Sequence, residues 1–278
     1  MNSHAQPDSL EVAGNPRNSL SLRLRSLREL PASNDKSLIA GLKALLQRRR
    51  PDLQEKAKNW DPEADERMVD LAIVEALHKL GDDSEIGRVP VIVAQAGQVL
   101  QDPVNELDSA VLAILHLGQV APVSGLIEIT NNQNPQALRN AVKTLDRLRL
   151  PEAPLGGSVA SVPHMQDRVT FTIHKLAEEL RAFEQYSQGS LRLSADVRTF
   201  LLDHDFDRGV VRRQGVSLAD TLENTIPLLD FDYYVEQNRV VICTYTEAGA
   251  RWRAWWSSYG PNLEYRKQKS LFVLRGRE

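Results

Sequence analysis

The fold of the C-terminal half of this chain is decided by residues 168–193, whose sequence reads RVTFTIHKLAEELRAFEQYSQGSLRL. Apolar residues occupy every second position at its start, a period typical of a strand with one buried face (Val169, Phe171, Ile173). Apolar residues then recur at helical spacing, which predicts an amphipathic helix (Leu176, Leu180, Phe183). Leu191 and Leu193 predict a short second strand. The stretch therefore indicates a small unit of mixed α and β structure.

A second stretch, residues 215–242, follows a similar plan with the sequence GVSLADTLENTIPLLDFDYYVEQNRVVI. Ser217 and Asp220 form a pair that resembles a capping box, which predicts the start of a helix. Alternating apolar residues then lie on both sides of Gln237 and Asn238. This pair predicts a tight hairpin turn, because asparagine tolerates positive φ. The hairpin supplies the last two predicted strands.

Between the two stretches, Val210 and Val211 predict one more strand, and residues 194–208 form a long connection without a predicted element. The predicted order over residues 168–246 is therefore βαββαββ. Residues 169–193 and 215–242 resemble the short N-terminal domain of secretins and TonB-dependent receptors, in which this connection is usually shorter. The resemblance implies a non-catalytic docking domain. It does not extend to transport, because no outer-membrane barrel or secretin pore pattern follows.

The N-terminal half is predicted to be helical over residues 31–150. The run VDLAIVEALHKLGDD (69–83) is answered by LDSAVLAILHLGQV (107–120), and more weakly by LRNAVKTLDRLR (138–149). Gly81 and Gly118 follow equivalent helices, and their spacing is close to that of helical solenoid units. The pattern resembles HEAT repeats. The resemblance implies an α-solenoid domain with a groove for a partner, usually a protein and sometimes a nucleic acid.

Composition supplies the remaining boundaries. Residues 1–30 begin with a polar segment and are predicted to be disordered or irregular, although LSLRLRSLREL (20–30) fits either a strand or a helix. Residues 151–167 contain prolines and adjacent glycines and are predicted to be a linker. Residues 247–278 are predicted to form a Trp-rich helix and a basic tail, which adds an edge strand or docks on the solenoid. The expected fold class is multidomain, α followed by α+β.

An aromatic stripe marks the Trp-rich helix. Its members fall at i, i+3, i+4 and i+7, which places them on one helix face (Trp252, Trp255, Trp256, Tyr259). Large rings of this kind dominate both protein cores and interfaces. Three interpretations stay open: packing inside the fold, anchoring of a protein partner, and stacking on a ligand with cation–π support from arginine. The stripe and Arg253 are the candidate partner-binding residues.

The sequence contains no catalytic, cofactor-binding or metal-binding motif. Phosphate-binding glycine loops, HExxH and GxSxG are all absent. The single cysteine, Cys243, excludes an intramolecular disulfide and a cysteine zinc site. His78 and His116 occupy similar places in successive helical runs, which fits a shared surface position as well as a metal pair. Residues 203–207, DHDFD, form either a solvated loop or a weak cation site.

Charge and hydropathy limit the class of protein. A net charge of −3 argues against a general nucleic-acid binder. No apolar run reaches the length that spans a membrane, and the first residues lack the apolar core of a signal peptide. A cytoplasmic location is expected by default, with an envelope location as the alternative.

The expected function is a non-enzymatic adaptor or scaffold that binds a protein through its helical-repeat surface or its small docking domain. A nucleic-acid partner is not favoured, no cofactor is expected, and the oligomeric state is left open. The main alternative is a HEAT-like enzyme, either a base-excision enzyme or a chromophore lyase. Its local candidates are Trp60, Asp61, Glu63 and Asp65, near the arginines at 48–50. A second alternative is a cell-envelope assembly component.

Overall fold

The computed structural model describes residues 6–48, 62–97, 104–154, 158–204, 207–226 and 231–276. Within these ranges the chain combines helices with small sheets, which confirms the predicted mixture of α and β structure. Contacts divide it into two units, Met1–Leu150 with Tyr259–Glu278, and Pro151–Ser258. The Trp-rich helix and the tail, predicted together, are thus shared between the units. No helix in the described ranges has the length and apolar character needed to cross a membrane.

The first unit consists mainly of helices. In chain order they are α1 (Gln6–Gly14), α2 (Leu20–Glu29), α3 (Leu38–Gln47), α4 (Pro62–Lys79), α5 (Arg88–Gln95), α6 (Val104–Leu117), α7 (Ala121–Ile129) and α8 (Pro135–Arg147). The helices α2, α4, α6 and α8 form one layer in which each contacts the next. Beside this layer, α5 packs against α7 and α8. From α4 to α8, helices that alternate along the chain therefore fall into two layers.

The N-terminal segment corrects the prediction, because α1 and α2 lie among residues expected to be irregular. Ala13 is fully buried, and its carbonyl oxygen accepts a hydrogen bond of 2.9 Å from Nε of Arg23. The side chain of Ser19 caps α2 by accepting from the backbone N–H of Leu22. Tertiary contacts that composition does not report therefore order this segment. The stretch that fitted either a strand or a helix is helical.

Two buried ion pairs join α2, α4 and α6. The guanidinium of Arg23 on α2 donates to both carboxylate oxygens of Glu66 on α4, at 2.6 and 3.0 Å. The next residue of α4, Arg67, donates to the carboxylate of Glu106 on α6, at 2.5 and 3.2 Å. The exposed fraction of these four side chains is 10% or less. In each pair, one guanidinium donates two hydrogen bonds to one carboxylate, so both buried charges are neutralised. A buried charge without such a partner would cost several kcal/mol of stability.

A buried amide fixes α8 against the end of α5. Asn140 is fully buried, and its Nδ2 donates to the carbonyl oxygens of Val93 and Ala96 at 3.0 and 2.8 Å. Both carbonyls lie at the C-terminal end of α5, and the last carbonyl groups of a helix have no backbone N–H partner within the helix. One side chain therefore satisfies two such groups and joins the two layers.

The second unit mixes strands and helices. It contains β1 (Arg168–Lys175), α9 (Leu176–Tyr186), β2 (Leu191–Leu193), α10 (Ala195–Asp203), β3 (Asp207–Ser217), α11 (Leu218–Thr225), β4 (Phe231–Glu236), β5 (Arg239–Thr244) and α12 (Tyr245–Tyr259). An antiparallel pair joins β1 and β3, and a second sheet has the order β2-β5-β4, with β2 parallel and β4 antiparallel to β5. Both sheets share one core with α9, α10 and α11.

The predicted hairpin is present between β4 and β5. Gln237 and Asn238 both adopt left-handed backbone conformations, with φ of 48° and 64°, as a two-residue turn of this kind requires. The segment predicted to be a linker, residues 151–167, also contributes to the folded unit. Three of its side chains are buried in the shared core (Val159, Val162, Met165).

The predicted order βαββαββ is wrong in one respect, because α10 lies in the connection 194–208. The side chain of Ser194 caps this helix by accepting from the N–H of Val197 at 3.2 Å. Only Val197 and Leu201 of α10 are buried. An apolar stripe of two residues is too short to predict a helix by periodicity.

The C-terminal tail forms a hairpin, β6 (Leu263–Arg266) with β7 (Leu271–Leu274), that belongs to the first unit. Tyr265 of β6 lies against the turn after α6, where a Cβ at Gly118 would be 2.6 Å from its ring. Gly118 also has a φ of +60°, so glycine is needed there both for backbone conformation and for close contact. Docking on the helical unit is one of the two outcomes predicted for the tail.

The turn after α4 is tied to α3 by an ion pair. Nζ of Lys43 lies 2.7 Å from Oδ2 of Asp82, and the N–H of Ser84 donates to Oδ1 at 3.0 Å. These hydrogen bonds, that of Lys43 first, lower the pKa of Asp82 from 3.8 to about 2. The carboxylate therefore stays ionised in the folded chain at pH values where it is protonated in the unfolded chain.

Glu106→Leu should lower the free energy of unfolding by about 3–5 kcal/mol, because Arg67 then keeps a buried charge without its buried partner. Adding Arg67→Met should recover most of this loss, since the buried charge is removed as well. Urea unfolding followed by circular dichroism measures both. Breaking the exposed pair Arg25–Glu29 by Glu29→Gln is the control, with a loss below about 0.5 kcal/mol. A double variant no more stable than Glu106→Leu would contradict the expectation.

Asp82→Asn should lower the free energy of unfolding by about 1 kcal/mol at pH 7, because the ion pair is lost. Since folding lowers the pKa of Asp82, its contribution is present above the unfolded-state pKa and disappears as the pH falls through the folded-state pKa. The difference between wild type and variant should therefore vanish between about pH 4 and about pH 2. Urea unfolding across this range measures it, and Lys43→Met should show the same pH dependence. A difference that persists at the acid limit would count against this pair.

Candidate partner-binding grooves

A groove in the first unit has α4 as its floor. The lining residues of α4 recur at helical spacing and form one stripe: Met68, Leu71, Ala72, Glu75, Ala76 and Lys79. Ala72 and Ala76 lie at the middle of this stripe, and their small side chains make the groove deepest there. The groove encloses about 60 Å³. We call it the α2–α4–α6 groove after the helices that line it.

The walls of this groove come from the two neighbours of α4. They are formed by Leu24, Leu27 and Arg28 on α2 and by Ser109, Leu112 and His116 on α6. Leu112 is 53% exposed, whereas the adjacent Ala113 and Ile114 of the same helix are fully buried. The α6 wall therefore presents apolar surface that the described residues do not cover, whereas Leu27 of the α2 wall is buried.

The charges of the α2–α4–α6 groove are not balanced. Nδ1 of His116 lies 2.7 Å from a carboxylate oxygen of Glu75, which is the carboxylate of the lining. Arg28 and Lys79 are both exposed, and neither forms an ion pair with any residue that the structure describes. The groove therefore carries two cations that are not neutralised within the described chain.

A second groove of the first unit, the α5–α7 groove, has the opposite charge. It encloses about 610 Å³, and its lining includes Pro90 and Val91 of α5 and Gly125 and Glu128 of α7. The two helices approach closely, because a Cβ at Gly125 would lie 2.5 Å from Cγ of Pro90. Val91 is 54% exposed. Glu128 is exposed and has no ion pair within the described ranges, so this groove carries an unneutralised carboxylate.

The aromatic stripe of α12 is buried at its centre. Trp252 is fully buried and Trp255 is 4% exposed, and their rings meet edge to face with centroids 5.3 Å apart. Nε1 of Trp255 donates to the carbonyl oxygen of Pro151 at 3.0 Å. The other candidate partner-binding residues are half-buried: Arg253, Trp256 and Tyr259. Trp252 and Trp255 therefore pack inside the fold. Partner binding stays a prediction for the other three residues.

A cluster around Glu236 was not predicted from the sequence. The guanidinium of Arg251 on α12 lies 3.4 Å from the centre of the Tyr234 ring and donates to one oxygen of Glu236 at 3.4 Å. Arg192 of β2 donates to the other oxygen at 3.1 Å. Strand alternation was the available signal, since it places Arg192, Tyr234 and Glu236 on the same sheet face. The cluster holds α12 against that face and presents no group for chemistry.

Only some of the residues considered for an enzyme lie among those described. Trp60, Asp61 and the arginines at 49–50 lie outside the described residues. Glu63 stands on the first turn of α4, where a carboxylate oxygen lies 3.6 Å from Nη1 of Arg67. Asp65 lies on the same turn, and the enzymatic alternative stays a prediction.

The candidate metal residues are also separate from one another. His78 pairs with Asp83, its Nδ1 lying 2.6 Å from the carboxylate, while His116 pairs with Glu75. The DHDFD run lies partly outside the described residues, since 205–206 are not among them. Across the described ranges, no cluster of three or more histidine, cysteine or acidic side chains could hold a metal ion.

Trp255→Phe should lower the free energy of unfolding by about 1–2 kcal/mol, because the carbonyl oxygen of Pro151 loses its donor in a partly buried place. Trp256→Phe is the matched control on the same helix, and its effect should stay below about 0.5 kcal/mol because the ring is only half-buried. Urea unfolding followed by tryptophan fluorescence measures both variants. Equal losses for the two would contradict the assigned role of the hydrogen bond.

Comparison with known proteins does not identify a family for this chain. No family model, curated protein or solved structure matches the chain. The surfaces of the two units are therefore the observations that bear on its function.

Proposed function

We propose that this protein is a non-enzymatic adaptor whose α2–α4–α6 groove holds a segment of a protein partner. The observation that carries the proposal is the uncovered apolar surface of the groove, where Leu112 is 53% exposed beside fully buried neighbours. Covering the exposed half of the Leu112 side chain would contribute about 1 kcal/mol to association. Exposed apolar surface rimmed by polar groups is typical of protein-binding sites.

The polar residues of the groove do not favour catalysis. Ser109 and His116 stand seven positions apart on α6, roughly 10 Å along the helix axis, so they do not form a nucleophile–base pair. The hydroxyl of Ser109 instead donates to the carbonyl oxygen of Asn105 at 2.8 Å. His116 is engaged by Glu75, as described above. The enzymatic alternative therefore stays a prediction without a supporting arrangement in the described residues.

A HEAT-like identity for the first unit is part of the same proposal. It is supported by the layer of α2, α4, α6 and α8, because solenoid units bury their apolar faces by stacking on their neighbours in this way. Gly81 and Gly118 also end α4 and α6 in the same manner, with left-handed φ of 86° and 60°. Equivalent helices with equivalent ends are what a repeat requires.

For the second unit we propose a docking domain similar to the short N-terminal domain of secretins and TonB-dependent receptors. Its support is the succession of α11, the aromatic strand β4, a tight turn and the apolar strand β5. The helix α10 departs from that pattern. The edge of β4 offers backbone groups to which a partner could add a strand. A cytoplasmic location, and the envelope alternative, stay predictions.

The adaptor proposal is tested by Leu112→Asp in the full chain. Affinity capture from native lysate should recover a partner that wild type binds directly after purification, and the variant should bind it at least about tenfold more weakly. Leu202→Asp is the matched control, because Leu202 of α10 is 80% exposed and lies outside the groove. Equal binding by wild type and Leu112→Asp would contradict the proposal, and so would turnover of a substrate that depends on a groove side chain.

A further inference from the structure

We infer that the segment held in the α2–α4–α6 groove is an amphipathic helix that carries carboxylates near one end. The inference rests on the proposed adaptor function and names the class of partner for the same groove. It depends on the shape of the groove, on the positions of its cations and on the contrast with the α5–α7 groove.

The shape fits a helix. From Met68 to Lys79 the floor spans eleven residue steps of α4, about 16 Å, which is the length of roughly three helical turns. Ala72 at the centre is half-buried, whereas Leu71 and Ala76 are almost fully buried, so Ala72 is the small side chain of the floor that a partner could contact. Leu112 borders the floor on the α6 side and is uncovered. A partner helix lying along α4 would therefore contact Ala72 on the floor and Leu112 on the α6 wall.

The direction of α4 and α6 places one of the two cations, Lys79, at a defined end of the groove. Arg67 and Glu106 pair near the N-terminal ends of α4 and α6, and Glu75 and His116 pair near their C-terminal ends, so these two helices run parallel. Lys79 is the last residue of α4 and therefore stands at the same end as His116. Arg28 lies in the last turn of α2 and lines the same groove.

The two unpaired cations of the groove favour a partner that carries carboxylates. Arg28 and Lys79 have no ion-pair partner in the described chain, and Glu75 is engaged by His116. In the α5–α7 groove the unmatched charge is Glu128, so that surface would repel the same segment. A helix with apolar residues at i, i+4 and i+7 and glutamates at one end would match the α2–α4–α6 groove alone.

The inference is tested with three designed helical peptides that share one apolar face and differ only at one end, which carries two Glu, two Gln or two Lys. Fluorescence anisotropy with the full chain measures their affinities. The Glu peptide should bind about tenfold more tightly than the Lys peptide at low salt, and the gap should shrink at about 0.3 M salt because exposed charges are screened. Equal affinities, or binding by none of the three, would overturn the inference.

Variants decide whether the groove is responsible. Arg28→Glu combined with Lys79→Glu should reverse the preference, so that the Lys peptide binds more tightly than the Glu peptide. Lys36→Glu, at an exposed lysine outside the groove, is the matched control and should leave the order unchanged. A preference that survives the double reversal would overturn the inference. If Leu112→Asp still abolishes binding of the captured partner in that case, the adaptor proposal stands and only the acidic class fails.

Discussion

The groove depends on how α4 is held between α2 and α6, and two buried ion pairs made by consecutive residues of α4 hold it. Glu66 reaches α2 and Arg67 reaches α6, since adjacent residues of a helix point about 100° apart. Each ion pair forms only when its two helices have one particular axial register. A shift of one helix along the other would leave a buried charge without its partner, at a cost of several kcal/mol of stability. The pairs therefore define the register of the three helices whose side chains form the groove.

Buried charges and exposed charges have different roles in this structure. In the second unit, Arg213 of β3 donates to the fully buried carboxylate of Glu179 on α9 at 2.9 Å, so a matched pair again ties two elements together. At the groove rims the charges differ, because Arg28, Lys79 and Glu128 are exposed and find no opposite charge within the described chain. Charges inside the fold thus fix its geometry, whereas those at the rims are available to discriminate between partners.

Apolar periodicity predicted part of the fold from the sequence, because β1 and α9 each bury one face with a regular period. The β4–β5 hairpin was predicted from its turn residues, and four consecutive residues of β5 are buried. Periodicity missed α10, since only two of its positions are buried. The buried charges were also missed, because charged residues on an amphipathic helix ordinarily mark its solvent face. The groove could not be predicted, since Leu112 continues the same apolar pattern as its buried neighbour Ile114 and only the packing of α4 and α6 separates them. Spacing placed Trp252 and Trp255 on one face without showing that this face is internal.

The hydrogen bond between Trp255 and Pro151 joins the two ends of the second unit, since Pro151 is its first residue and Trp255 lies close to its last. In sequence the second unit is thus inserted between two segments of the first unit, and its own two ends lie next to each other. Within the first unit, Tyr265 of the tail contacts Gly118, a residue far away in sequence. An unfolded insertion would make that closure entropically costly, and a folded one fastened at its ends removes most of the cost. A second unit that folds first would therefore lower the entropic cost of bringing the two segments of the first unit together.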